Sequence, residues 1–289
     1  MTTVADAPPR RSWPAALRLG LALLAVHLVL AAFGPWIAPY AQDQMMAGRP
    51  IEGASLAHPF GTDQLGRDIF SRALAGGWIV ITLAATGTAL GVVLGTMVGL
   101  FSGTVGGWID EVLMRLTEAF LAIPFLIFAL LIVSLAGPGL QGSPFLLIGV
   151  VAAVYLPRIA RMSRAAAIDI VTRDHVLAAR LRGEGTWAIA MREVLPNATG
   201  VLFVEFAVRA GFAPAVIGTL GFLGFGMRPP TPEWGLMMAE YRGLLTIQPA
   251  AVLGPGLMLA TLVVGLNFLT EGLSMMIGRR TVGSGQDQA

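Results

Sequence analysis

The chain has 289 residues, of which 55% are hydrophobic and only 12% charged, against about 25% charged in an ordinary soluble domain. All 19 basic residues are arginine, set against 17 acidic ones, and there is no cysteine. These figures exclude a soluble globular fold, disulfide or thiolate chemistry, and any phosphate-binding loop that depends on lysine.

A bilayer core about 30 Å thick takes about 20 apolar residues of helix, and the pattern predicts six such spans in an all-α, polytopic membrane protein. The first, 17–37, follows Arg10 and Arg11 and ends in "FGPWIAPY", with Trp36 and Tyr40 suited to the membrane interface. It reads as an uncleaved span rather than a signal peptide. A Gly- and Pro-rich segment, 38–77, leads to the second span, 78–101, where Gly87, Gly91, Gly95 and Gly99 recur every four residues. Such a ridge lets another helix approach closely, more readily within this chain than across to a partner. The third span is 120–136. The fourth, 145–159, is short, and Pro157 is expected to kink its end, so it is either a span or a re-entrant segment. The fifth, 201–225, carries Glu205 and Arg209 one helical turn apart, a pair that either satisfies itself or lines a pathway. A second Gly- and Pro-rich segment, 226–249, precedes the last span, 252–276.

Six crossings put both termini on one side. Placing the N-terminus in the cytoplasm puts Arg10, Arg11, Arg18, Arg115, Arg158, Arg161, Arg164, Arg173, Arg180, Arg182, Arg192, Arg279 and Arg280 inside. Arg49, Arg67, Arg72, Arg228 and Arg242 then lie outside, so the positive-inside rule makes both termini cytoplasmic. It also accounts for the basic pI without nucleic acid. The expected layout is a cytoplasmic tail over 1–16, a transmembrane domain over 17–280 and a C-terminal tail over 281–289.

The longest cytoplasmic segment, 161–199, is too short to hide a soluble domain. Its pattern is helical. In "DHVLAARLRG", Asp174 is a candidate N-cap, Val176, Leu177, Ala179 and Leu181 are candidate apolar contacts, and a helix can end at Gly183. A second short helix, "TWAIAMREV", runs to Leu195 and is expected to break at Pro196. The two make a compact knob, or else an amphipathic hairpin lying on lipid.

No nucleophile elbow or zinc-protease motif is present, and His27, His58 and His175 are too dispersed to hold a metal. No catalytic constellation is expected.

"LAARLRGEGTWAIAMREVLP", 177–196, resembles the signature of ABC importer permeases: E-A-A, three residues, G, nine residues, I-x-L-P. Ala178, Ala179, Gly183, Leu195 and Pro196 match it, while Leu177 replaces the usual glutamate and Glu193 a common isoleucine. "HPFGTDQLGRDIFSR" (58–72), "GGWIDEVLMRLTEAFLAIP" (106–124) and "PPTPEWGLMMAE" (229–240) are similar to the C-type permease subunit of bacterial peptide and nickel ABC importers, and the likeness runs from about residue 17 to 280.

The resemblance implies a type I ABC importer permease fold in the bacterial inner membrane. It implies a heterodimer with a homologous permease subunit, two ATP-binding subunits that use ATP and magnesium, and an extracytoplasmic substrate-binding protein, with no cofactor on this chain. The ATPase-coupling loop would present Leu177, Ala178, Ala179, Arg180, Gly183, Glu184, Leu195 and Pro196. Peptide is the leading substrate and nickel or a nickel chelate the next. An ion-coupled secondary transporter would need broken helices in two repeated halves, and no such repeat is visible.

Overall fold

The computed structural model describes residues 13–286, with side chains as far as residue 276. Arg10, Arg11 and residues 287–289 lie outside the described residues, as do the side chains of Arg279 and Arg280. Among the described residues there are helices, one isolated bridge between Thr62 and Asp68, and no strand.

Helix α1 (Ala15–Ile37) starts behind Pro14 and runs antiparallel to the last helix, α10 (Pro249–Gln286). Small residues allow the approach: a Cβ at Gly20 would strike the backbone of Leu269, and one at Gly272 would meet Leu17 at 2.5 Å. His27 is buried in this seam, its ring nitrogens 2.9 Å from the Leu23 carbonyl and 3.0 Å from that of Met258. It is a satisfied packing residue.

Helix α2 (Ile69–Val105) is capped by Asp68, whose carboxylate accepts from Ser71 N at 2.7 Å. It packs parallel to α5 (Pro144–Val171) along the glycine ridge. A Cβ at Gly87 would lie 2.8 Å from Val151 Cβ, one at Gly91 3.0 Å from the Ala152 carbonyl, and one at Gly95 2.8 Å from Ile159 Cβ. At Gly99 it would overlap the Ala160 carbonyl oxygen. Lipid tails are as apolar as leucine, so van der Waals contact rather than water exclusion holds such helices together, and close backbones maximise it.

Between them lie α3 (Gly107–Ala122) and α4 (Phe125–Leu135), bent by 98° at Ile123 and Pro124. The third span expected over 120–136 is therefore interrupted by a bend. Proline lacks the N–H of a continuing helix and pushes the residue before it out of helical geometry. The expectation for the fourth span is corrected in the opposite sense. Pro157 neither ends nor shortens α5, which runs through it for 28 residues. Neighbouring helices in a bundle repack around such a proline, and Pro157 is buried. Arg158, expected at the cytoplasmic end, thus stands near the middle of the helix.

Helix α6 (Asp174–Leu181) and the single turn α7 (Thr186–Ile189) form the knob. Asp174 is the first helical residue rather than the cap, a position taken by Arg173. From α7 the chain winds through a π-helical turn, Ala190–Val194, into α8 (Leu195–Phe222). Pro196 does not break this path: it sits in the first turn of α8, and the wider π turn leaves room for its ring. Residues Thr186–Phe222 form one continuous rod. A short helix, α9 (Trp234–Tyr241), closes the end of the bundle between α8 and α10. Five helices are long and apolar enough to cross a membrane, and the bent pair α3 and α4 makes a sixth if it is counted as one span.

Candidate functional site

The knob stands at one end of the bundle. Val176, Ala179, Ile189 and Val194 are buried there against Leu100, Ala167 and Ile170, so its inner face is welded to α2, α5 and α8. Its outer face carries an apolar patch among exposed arginines. Leu181 is 90% exposed, Trp187 50% and Leu177 46%, with Ala178 beside them. Of the four apolar contacts expected from the spacing, Val176 and Ala179 face the bundle and Leu177 and Leu181 face outward. Ala179 is fully buried and cannot touch a partner from this face.

Gly183 carries the turn between the two helices at φ +80°. Gly183 N donates to Arg180 O at 2.9 Å and Glu184 N to Ala179 O at 3.2 Å, the hydrogen-bond pair of a Schellman motif with glycine in the left-handed position. Arg182 is held by Glu184 at 2.7 Å. Arg180 Nη2 reaches the Thr104 carbonyl at 3.4 Å, tying the knob to the end of α2. Leu195 and Pro196 do not join the outer face; they begin α8. What the arrangement can do mechanically is clear. A push on α6 reaches the continuous helix Thr186–Phe222 through the buried contact of Val176 and Ala179 with Ile189 and Val194.

A second feature lies inside the bundle. At the α3 and α4 bend, α5 and α8 enclose a cavity of about 510 Å³, walled by Phe120, Phe125, Phe128 and Phe212 and reached by Tyr155, Arg158 and Arg209. Arg209 Nη2 donates to Glu205 at 2.9 Å, and both side chains are largely buried, at 14% and 12% exposure. Since α8 starts at Leu195, Glu205 sits deeper than a span beginning at residue 201 would place it. The Tyr155 hydroxyl and Arg209 Nε are buried without hydrogen-bond partners among the described residues.

At the far end, "HPFGTDQLGRDIFSR" folds into a polar latch. Asp63 accepts from Leu65 N at 2.8 Å, Arg67 N at 2.9 Å and Arg67 Nε at 2.6 Å, while Asp68 holds His58 Nδ1 at 2.9 Å and Ser71 Oγ at 2.6 Å. "PPTPEWGLMMAE" meets this latch from α9. Trp234 Nε1 donates to Ala73 O at 2.7 Å, and Arg72 pairs with Glu240 at 3.4 Å. Glu233 is fully buried and caps α9, accepting from Gly235 N at 2.7 Å and Leu236 N at 2.8 Å. Burial pushes its carboxyl up to about 7, against those two backbone bonds.

No group of His, Asp and Glu among the described residues could hold a metal ion. Tyr155, Arg158 and the phenylalanine wall escape a reading of sequence alone, because residues 120–128, 154–158 and 209–219 meet only after folding. The helical spacing that continues past Arg158 was the available signal.

Residues 91–283 match the family model described as "Binding-protein-dependent transport system inner membrane component". The chain is 33% identical over 269 residues to the dipeptide transport system permease protein DppC of Haemophilus influenzae, covering 88% of this chain and 87% of that one. It is 33% identical over 272 residues to the glutathione transport system permease protein GsiD of Pectobacterium atrosepticum, covering 92% and 89%. Among solved structures it resembles a chain of the MetNI methionine ABC transporter in an inward-facing conformation, with a TM-score of 0.57, 18% identity and coverage of 71% of this chain and 96% of that one.

Proposed function

The chain belongs to the family of binding-protein-dependent transport system inner membrane components, and from that premise we propose that it forms half of the path by which an ATP-driven importer moves short peptides across the membrane. It is a multi-pass inner-membrane permease, non-catalytic itself, of the kind that works with ATPase subunits and a substrate-binding protein. The observation that carries the peptide reading is end-to-end similarity to dipeptide and glutathione permeases at one third identity. The knob supports the division of labour: an apolar patch on α6, packed beside the base of the continuous Thr186–Phe222 helix, is what an ATPase needs to grip and push.

In this reading the knob and both termini face the cytoplasm, and the latch faces the binding protein. A homologous permease completes a heterodimer surrounded by lipid, and ATP with magnesium is held by two partner ATPases. An ion-coupled transporter is disfavoured because the one bent helix pair, α3 and α4, has no counterpart in the second half among the described residues. Affinity purification from mild detergent tests the assignment. Two ATPases and a second permease should accompany the tagged chain, with ATPase activity stimulated by peptide-loaded binding protein. Purification of the chain alone in a form competent for ion-driven transport would refute it.

A further inference from the structure

The cavity beside the α3 and α4 bend is lined by more positive charge than packing requires, and two buried donors on its wall lack partners. Arg158 and Arg209 stand near the middle of α5 and α8, both about 20 Å from the end that carries α9, at 1.5 Å per residue. Guanidinium groups at that depth must face protein or water rather than lipid. Glu205 neutralises Arg209, but Arg158, at the exposed mouth of the cavity, has no ion-pair partner among the described residues. One positive charge is left over. The Tyr155 hydroxyl, on a residue only 8% exposed, and Arg209 Nε add two donors without acceptors. Unpaired buried donors are rare in native proteins unless something else occupies them. Phe120, Phe125, Phe128 and Phe212 supply an aromatic lining, and the volume of about 510 Å³ lies within the range of small-ligand sites.

We propose that this cavity is a transit subsite for the peptide's C-terminus: the carboxylate accepts hydrogen bonds from Arg158 and Tyr155 beside the Arg209 and Glu205 pair, and an apolar side chain lies against the phenylalanines. A carboxylate has two oxygens with room for about four hydrogen bonds, and a guanidinium presents a matching fork. An anionic lipid headgroup shares this chemistry, but headgroups sit at the membrane surface, whereas the two arginines stand near the middle of α5 and α8. The proposal rests on the peptide-permease reading.

The test compares uptake of alanyl-phenylalanine and its C-terminal amide by the complete complex in proteoliposomes, each peptide saturating the binding protein. The same binding protein serves every variant, so its own preference cancels in the ratio of acid to amide uptake. Arg158→Gln should lower that ratio by about tenfold, and Tyr155→Phe, which keeps the ring, by about threefold. An unchanged ratio in both variants would overturn the subsite. Equal losses for acid and amide, with less anionic lipid copurified, would assign the cavity to the membrane and overturn it as well. If the wild-type complex moves neither peptide, the peptide reading itself falls, and the subsite with it.

Discussion

Asp110 on α3 accepts two hydrogen bonds from Arg164 on α5, from Nε and Nη2, each at 2.5 Å. Ser102 at the end of α2 also donates to the same carboxylate, so one side chain pins three helices beside the knob. Asp110→Ala would leave Arg164 unpaired. Arg164 is 32% exposed and can reach water, which keeps the loss at about 1–2 kcal/mol. A lower Tm in detergent and a smaller yield of assembled complex should follow, and an unchanged Tm would show that the fork contributes nothing.

The glycine ridge makes a comparison within one fold possible. At Gly99 a methyl group would meet the Ala160 carbonyl, and Ser163 Cβ would lie 2.7 Å away, so α2 and α5 must separate. Gly99→Ala should cost about 1–3 kcal/mol. Gly149, on α5, has nothing within 4 Å of the same atom, and Gly149→Ala should be neutral or slightly stabilising. Thermal unfolding of the two variants side by side decides the matter; equal stability would mean that the helices slide apart at no cost.

Gly183 is a different case, because nothing lies within 4 Å of its would-be Cβ and the restraint is the left-handed backbone alone. Gly183→Val should cost about 1 kcal/mol or more in the turn and tilt α6 against α7. The spans do not depend on this turn. The variant should insert and pair with its partner permease while losing ATPase copurification and transport. Retained ATPases with normal transport would remove the docking role, and loss of the permease pair would show that Gly183 serves folding.

Glu233 gives a pH dependence with a definite sign. Its ordinary value of 4.5 is raised by burial to about 7 in the folded chain, so between these values the folded state binds more protons than the unfolded one. Stability from this group therefore falls as pH rises from about 4.5 to 7. Glu240, raised by burial against Arg72, acts in the same direction. Tm should be a few degrees lower at pH 8 than at pH 5.5, and Glu233→Gln should flatten the slope. A Tm that rises over this interval would contradict the placement of Glu233.

The positions of the spans were legible in sequence because a bilayer demands long apolar helices, and the knob because its glycine and helix signals are local. The 98° bend was legible in principle, since Ile123 precedes a proline, but the run of apolar residues around it masks the signal. Arg158 was misplaced because hydropathy drops at an arginine while the helix carries on. Which of the apolar contacts Val176, Leu177, Ala179 and Leu181 face outward was not legible, because an apolar residue at helical spacing looks the same whether it faces its own chain or a partner. The cavity was invisible because it is assembled from three stretches, 120–128, 154–158 and 209–219, that meet only after folding.

The central claim is that ATP hydrolysis in partner subunits drives peptide through a path half built from this chain. Uptake of a labelled dipeptide by proteoliposomes containing both permeases and both ATPases, with binding protein on the opposite side from ATP, measures it directly. The account predicts accumulation that requires ATP, the binding protein and this chain together. Accumulation that persists without ATPases under a proton or sodium gradient, or a complex that moves nickel but no peptide, would contradict it.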